Sequence, residues 1–279
     1  MTENGQNGHP EQNGQENGQP TAVTEAFEKI QDLQIGYCRY GNGPNNMLFI
    51  CGAVGCYKKD WPSSVLQQFD PALVTIICID PPGYGTSRPP DRKQEVNRCM
   101  KDSVFCLELM NKLDLNPFTI VGWSEGARTA VHVAASGKQK VNRMILLAAG
   151  TKVDQRGAWA FRGMRDTDLW LPNARAPYLA HYSNDFLKKQ WADLCDVVQE
   201  VFDMMGGRFT SDLVLSSIKC PSLIMTGGQD RFCTDPKVNF TPVLKNCRVE
   251  THLHGGHDFH IKYAKWFAEK VQNFIKETQ

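Results

Sequence analysis

A chain of 279 residues, 41% of them hydrophobic, is long enough for one large α/β domain with an insertion and can bury a sizeable core. Its 31 basic and 30 acidic residues nearly cancel, and no Lys/Arg cluster is interleaved with aromatic residues, so we expect neither a nucleic-acid partner nor binding to an anionic membrane. No apolar run approaches the ~18 residues that a transmembrane helix needs.

The ten cysteines include no C-x-x-C pair, which disfavours a zinc site or a disulfide framework. Several lie in apolar, strand-like runs: Cys38, Cys51, Cys78 and Cys247. Buried free thiols are typical of a reducing compartment, so we expect a cytoplasmic protein. We also expect a monomer that uses no metal and no other cofactor.

Residues 1–22 consist almost wholly of Asn, Gly, Gln, Glu and Pro, which predicts a disordered polar tail. After the tail, short apolar runs alternate with helical patterns, and this alternation predicts an α/β fold with a mostly parallel sheet covered by helices on both faces. The predicted strands are Gln34–Tyr40, Met47–Gly52, Val74–Asp80, Phe118–Gly122, Met144–Ala149, Ser222–Thr226 and Arg248–Leu253.

The strand pattern is interrupted between residues 151 and 217, where several helical patterns follow one another. We interpret this interval as a helical cap, inserted into a core formed by residues 23–150 and 218–279. Most large side chains of the cap are expected to form its own small core, with the lining of a substrate chamber as the alternative. They are Trp159, Phe161, Met164, Leu169, Trp170, Tyr178, Tyr182, Trp191, Phe202 and Met204.

A G-x-S-x-G motif, Gly122-Trp-Ser124-Glu125-Gly126, lies between a predicted strand and an alanine-rich helical segment. This layout is typical of a nucleophile elbow, in which a sharp turn exposes the serine Oγ and the glycines avoid Cβ clashes. The alternative is a buried glycine turn whose serine caps a helix.

A catalytic serine needs a base that is held by an acid. Asp230 follows one late predicted strand and His257 follows the next, in the order Ser, Asp, His that this kind of fold uses. His254 is the competing base and Asp235 the competing acid, although Asp235 precedes a proline where a helix N-cap is expected. The other two histidines of this region, His252 and His260, are interpreted as structural.

An oxyanion hole needs two backbone N–H groups directed at the developing negative charge. We expect one from Glu125, directly after the nucleophile, and the other from the loop after the second predicted strand, with Ala53 as the first choice and Val54 as the second.

The chain resembles α/β-hydrolases of the biphenyl hydrolase-like, or valacyclovir hydrolase, group over residues 30–277. The resemblance rests on motifs in both the core and the cap: Asp80-x-x-Gly-Tyr-Gly-x-Ser-Arg-Pro-Pro-Asp-Arg92, Gly-Trp-Ser-[acid]-Gly, Gly163-Met-Arg-Asp, Cys220-Pro-x-Leu-Ile and Gly255-x-His257. It implies an α/β-hydrolase fold with Ser124, Asp230 and His257 as the triad.

The resemblance also implies hydrolysis of α-amino acid esters, with the acid after the nucleophile binding the substrate ammonium group. Here that acid is Glu125, where the family has Asp. A carboxylate at this position is also favoured by the helix dipole alone, by ~0.3–1 kcal/mol.

We therefore predict a serine hydrolase that cleaves carboxylic esters through a Ser-His-Asp triad and an acyl-enzyme, with α-amino acid esters as the expected substrates. The alternatives are a thioesterase, a lactonase or a carbon–carbon hydrolase with the same triad, or a non-catalytic binding protein built on this fold.

Overall fold

The computed structural model describes Met1, residues 22–232 and residues 235–279. The predicted disordered tail lies almost wholly outside the described residues, as does Cys233. All nine cysteines in the described part of the chain are free thiols, and of the four assigned to strand-like runs, Cys38, Cys51 and Cys78 are buried whereas Cys247 is half-buried. No helix within the described ranges is long and apolar enough to cross a membrane.

One eight-stranded sheet forms the centre of the molecule. The first two strands are antiparallel to their neighbours and all other pairs are parallel, which confirms the predicted sheet. The strands are β1 Thr24–Ile30, β2 Leu33–Tyr40, β3 Asn45–Ile50, β4 Val74–Ile79, β5 Phe118–Trp123, β6 Val141–Leu147, β7 Ser222–Gly227 and β8 Cys247–His252. Their order in the sheet is β1-β2-β4-β3-β5-β6-β7-β8.

All seven predicted strands are present, and β1 is the one that the pattern did not predict. It lies at the edge of the sheet, and most of its residues are exposed or half-buried. An edge strand that buries so little has no continuous apolar run, so its sequence carries only a weak strand signal.

Helices cover both faces of the sheet, because successive side chains of a buried parallel strand point to opposite faces and both sets are apolar. In β3, Leu48 and Ile50 belong to the cluster that includes α3 (Arg98–Lys112) and α4 (Glu125–Ser136), whereas Met47 and Phe49 belong to the cluster that includes α11 (Ala264–Glu277). The core helices are α1 Tyr57–Asp60, α2 Ser63–Leu66, α3 Arg98–Lys112, α4 Glu125–Ser136, α9 Pro236–Asn239, α10 Phe259–Lys262 and α11 Ala264–Glu277.

The residues between β6 and β7 form a helical layer at the carboxyl end of the sheet. Its helices are α5 Gln155–Gly163, α6 Pro172–Leu179, α7 Asn184–Met205 and α8 Thr210–Val214. The two ends of this layer are joined by backbone hydrogen bonds, from Val153 N–H to the Gly207 carbonyl (2.8 Å) and from Phe209 N–H to the Thr151 carbonyl (3.0 Å). The first and last residues of the layer therefore lie side by side after β6. The layer covers the carboxyl ends of the strands, where the candidate site lies.

His260 in α10 gives the fold a dependence on pH. Its ring is fully buried between Trp61 and Trp123, and Nε2 donates to the Asp60 carbonyl at 3.1 Å. Burial, together with smaller electrostatic contributions from nearby His257 and Lys59, lowers the pKa of His260 to about 3, although the hydrogen bond to Asp60 acts in the opposite direction.

Because the folded-state pKa lies below the unfolded value of 6.5, the stabilisation by neutral His260 is complete above pH 6.5 and is lost as the pH falls towards 3. At pH 4 the loss amounts to about 3 kcal/mol, since each pKa unit is worth about 1.4 kcal/mol. Urea unfolding at pH 7 and pH 4 should therefore show a smaller acid-induced loss in a His260→Gln variant than in the wild type. The exposed His254, replaced in the same way, is the control, and equal losses in all three proteins would contradict this assignment.

Candidate active site

The G-x-S-x-G motif forms the turn between β5 and α4. Ser124 has φ 55° and ψ −114°, a conformation that residues other than glycine rarely adopt. The flanking glycines allow this turn, because a Cβ on Gly122 would lie 2.3 Å from the Gly126 carbonyl oxygen, and a Cβ on Gly126 would lie 2.4 Å from that of Cys51. The Ser124 side chain makes no capping hydrogen bond to α4, so the alternative of a helix-capping serine is wrong.

The structure brings the three predicted triad residues together. His257 Nε2 lies 2.9 Å from Ser124 Oγ, and His257 Nδ1 lies 2.9 Å from Asp230 Oδ2. An ionised carboxylate only accepts hydrogen bonds, so Nδ1–H is the donor to Asp230 and Nε2 is left to accept the hydroxyl proton of Ser124.

Backbone and side-chain contacts fix the acid and the base in these positions. Asp230 follows β7, its side chain is 1% exposed, and its second oxygen accepts the Phe232 N–H at 2.8 Å. The loop that carries His257 is held by the indole of Trp123, which donates to the His257 carbonyl at 2.9 Å. Trp123 also precedes the nucleophile, so one side chain couples the elbow to the histidine loop, a role that the sequence analysis missed.

The competing residues lie elsewhere. His254 is exposed, and its carbonyl accepts a hydrogen bond from Tyr263. Asp235 is exposed and directly precedes α9. His252 stacks on the Tyr263 ring with centroids 3.8 Å apart, which agrees with the structural role expected for it.

The loop after β3 passes beside the nucleophile and is held by Asp60. The carboxylate of Asp60 is fully buried and accepts the Gly52 N–H at 2.9 Å. A Cβ on Gly55 would lie only 2.0 Å from the same oxygen, so the loop needs glycine at that position. Asp60 is a second residue that the sequence analysis missed, because nothing in its local pattern shows that it reaches back to this loop.

Two backbone N–H groups in this region fit the requirements of an oxyanion hole. Those of Ala53 and Glu125 donate no hydrogen bond to another described residue, and Ala53 lines the same cavity as Ser124. Val54 has a positive φ of 50° and buries its side chain against the helical cap. The position of Ala53 therefore suits the second donor better than that of Val54.

A cavity of about 580 Å³ extends from Ser124 and His257 into the helical cap. This volume is typical of a site for a small molecule. The expectation that the large cap side chains form the cap's own core is wrong for Trp159, Leu169 and Met204, which are exposed. Five of the ten pack in an apolar cluster with other cap residues and also line the cavity. They are Phe161, Met164, Trp170, Tyr178 and Trp191.

The side chain of Glu125 is not part of the cavity lining. The carboxylate of Glu125 is buried and forms an ion pair with Arg98, the first residue of α3. It does not face the cavity. Burial alone raises the pKa of Glu125, but the positive charges of Arg98, Arg92 and Arg128 outweigh it and hold the pKa below its ordinary value. The position of this carboxylate does not support the interpretation of Glu125 as an ammonium ligand.

Within the described residues, no group of three or more His, Cys, Asp or Glu side chains is arranged to hold a metal ion.

The chain belongs to the alpha/beta hydrolase family, whose family model matches residues 47–270. It is similar to the serine hydrolase BPHL of Mus musculus, with 30% identity over 260 residues that cover 92% of this chain and 88% of the mouse protein. It is also similar to the serine hydrolase BPHL of Homo sapiens, with 27% identity over 257 residues and the same shares of the two chains.

The fold is shared with more distant solved structures. One is a mutant of the meta-cleavage product hydrolase CumD, with a TM-score of 0.72, 20% identity and coverage of 90% of this chain and 98% of that chain. Another is a haloalkane dehalogenase variant from Bradyrhizobium elkanii, with a TM-score of 0.72, 16% identity and coverage of 92% and 97%. At this level of identity, the comparison establishes the fold alone.

Proposed function

We propose that this protein is a serine hydrolase of carboxylic esters that acts through an acyl-enzyme. The observation that carries the proposal is the chain of hydrogen bonds from Ser124 Oγ through His257 to Asp230, at the bottom of a cavity large enough for a small ester. A binding protein built on this fold has no need of a serine in a strained turn with a base 2.9 Å from its hydroxyl.

In this mechanism His257 Nε2 removes the hydroxyl proton as Ser124 Oγ attacks the ester carbonyl. The backbone N–H groups of Ala53 and Glu125 stabilise the oxyanion of the tetrahedral intermediate. His257 then gives its proton to the departing alcohol. Water, deprotonated by the same imidazole, attacks the acyl-enzyme and releases the acid, while Asp230 stabilises the imidazolium.

The position of Glu125 bears on whether the substrates are α-amino acid esters or esters without an ammonium group. The two BPHL relatives support serine hydrolase chemistry, and the resemblance to their group suggests α-amino acid esters. A preference for such esters through Glu125 requires its carboxylate to turn from Arg98 into the cavity, at the cost of leaving a buried guanidinium unpaired. We therefore propose ester hydrolysis without an ammonium site at Glu125.

A fluorophosphonate probe tests the reaction class, because it phosphonylates a serine that is activated by a neighbouring base. The probe should label the wild type at Ser124, as read by mass spectrometry of the digested protein, and should leave a Ser124→Ala variant unlabelled. Labelling of both proteins to the same extent would contradict the assignment of Ser124.

Turnover of matched substrates tests the bond that is cleaved. Methyl esters, thioesters, lactones and carbon–carbon substrates of similar size separate the ester hydrolase from its alternatives, and we expect the ester to have the highest kcat/KM. Methyl alaninate and methyl propionate differ by the α-amino group, and a ratio of kcat/KM close to one is the expected result.

A further inference from the structure

The cavity wall beside the oxyanion loop contains a buried ammonium group that the ester hydrolysis proposed above does not use. Lys59, in α1, lines the same cavity as Ser124 and His257, and its side chain is only 8% exposed. Taking an ammonium group out of water is costly unless it gains partners. The groups around Lys59 therefore indicate which ligand its ammonium group can bind.

Lys59 has one anionic partner. Its Nζ lies 2.5 Å from Asp60 Oδ1, whereas the other oxygen of Asp60 accepts the Gly52 N–H. Within the described residues, no other carboxylate lies within 4 Å of this nitrogen. Burial alone lowers the pKa of Lys59, but the negative charge of Asp60 outweighs it and raises the pKa, so the side chain stays charged at neutral pH.

Two aromatic rings hold the ammonium group at the cavity wall. Nζ lies 4.2 Å from the ring centre of Tyr178, in the cap, and 5.3 Å from that of Trp123, the residue before the nucleophile. Both distances are within the range of a cation–π contact. Asp60 needs a counter-ion, but a counter-ion alone does not have to lie between the cap and the elbow, facing the substrate cavity.

The charges elsewhere on the cavity wall favour an anion near Lys59. The two lining carboxylates are open to solvent: Asp154 is exposed, and Asp258 is 42% exposed and pairs with Lys262. The carboxylate closest to the nucleophile in sequence, Glu125, is neutralised by Arg98. Among the described residues, Lys59 therefore lines the cavity with no lining carboxylate within 4 Å of its ammonium group, since Asp60, its partner, is not part of the lining.

We propose that Lys59 binds a carboxylate group carried by the ester, so that the enzyme selects carboxylate-bearing esters over neutral and ammonium-bearing ones. The carboxylate is carried either by the acyl group, as in a monoester of a dicarboxylic acid, or by the alcohol. This specificity rests on the proposed ester hydrolysis, and two of the substitutions below separate it from a structural role of the Lys59–Asp60 pair.

Two matched pairs of esters test the proposal by kinetics. Monomethyl glutarate and methyl valerate differ by a carboxylate on the acyl side, and 4-carboxybenzyl valerate and benzyl valerate differ by one on the alcohol side. Within each pair the measured quantity is the ratio of kcat/KM, anionic over neutral. Damage to the oxyanion loop lowers both rates and cancels in the ratio.

Lys59→Met should lower at least one of these ratios by about tenfold or more, and the pair that responds identifies the side that carries the carboxylate. The double variant Lys59→Met/Asp60→Asn should show the same fall, although it leaves no buried carboxylate unpaired and keeps an oxygen for the Gly52 N–H. The control is Lys58→Met, because Lys58 is the preceding residue of α1, is 45% exposed and pairs with Glu25. Ratios that stay within about twofold of the wild type in both Lys59 variants overturn the proposal.

A binding measurement separates this proposal from the proposed reaction. In a Ser124→Ala background, calorimetry should show that Lys59→Met weakens the binding of at least one of the two carboxylate esters by about tenfold and that of its neutral partner by less than about twofold. If Lys59→Met selectively weakens binding of the carboxylate ester but the wild type hydrolyses no ester, the proposed ester hydrolysis is wrong and the anion site at Lys59 stands. Turnover with unchanged ratios and unchanged binding overturns the anion site but not the reaction.

Discussion

Replacing Ser124 with alanine is expected to lower kcat for ester hydrolysis by about 10⁴-fold or more, because the nucleophile is lost while the oxyanion donors and the cavity remain. The triad acts as a unit, so adding His257→Ala to Ser124→Ala should cost little more. Stopped assays with a chromogenic ester measure kcat of each variant. A thermal melt shows whether the variant is folded.

Ser136→Ala provides the matched control for this prediction. Ser136 ends the same helix, α4, and is exposed, so its hydroxyl has no part in the site. We expect wild-type kcat in this variant. A folded Ser124→Ala protein with the activity of Ser136→Ala would exclude the acyl-enzyme mechanism.

Glu125→Gln is expected to have its main effect on stability rather than on substrate choice. The substitution removes the charge that compensates Arg98, which is only 2% exposed, and leaves a buried guanidinium without its ion pair. Breaking a buried pair in this way typically costs about 3–5 kcal/mol. Urea unfolding at pH 7 should show a loss of this size, whereas the ratio of kcat/KM between methyl alaninate and methyl propionate should change by less than about twofold.

The comparable pair on the surface is the control. Lys101 and Glu95 form an ion pair with both side chains partly exposed, and Glu95→Gln should cost less than about 1 kcal/mol. The opposite pattern for Glu125→Gln, with unchanged stability and a tenfold loss confined to the amino ester, would restore Glu125 as an ammonium ligand and count against the arrangement seen here.

The positions of seven sheet strands and of the elbow were predictable from the sequence, since both depend on local patterns. Continuous apolar runs mark buried parallel strands, and the glycines around Ser124 mark a turn that tolerates no Cβ. The edge strand β1 was missed for the same reason, because a half-exposed strand has no such run.

The sequence limited the triad to a few candidate acids and bases but did not decide among them. Asp230 and His257 were the first choices by their order after the late strands, but His254 and Asp235 fitted nearly the same pattern. What separates them is the direction of each side chain relative to Ser124, and this depends on the path of two loops over the sheet. The structure gives that direction, with His257 in hydrogen-bonding contact with Ser124 and His254 exposed.

The sequence by itself determined the fold class, the elbow serine and a short set of candidate acids and bases, because these depend on residue spacing and on local backbone preference. Only the tertiary structure decided the electrostatics of the site. Glu125 stands beside the nucleophile in sequence, yet its carboxylate pairs with Arg98 of another helix. Lys59 is far from Ser124 in sequence, yet its ammonium group lies in the wall of the same cavity. A charge acts through distance and burial, and both are set by how the chain packs.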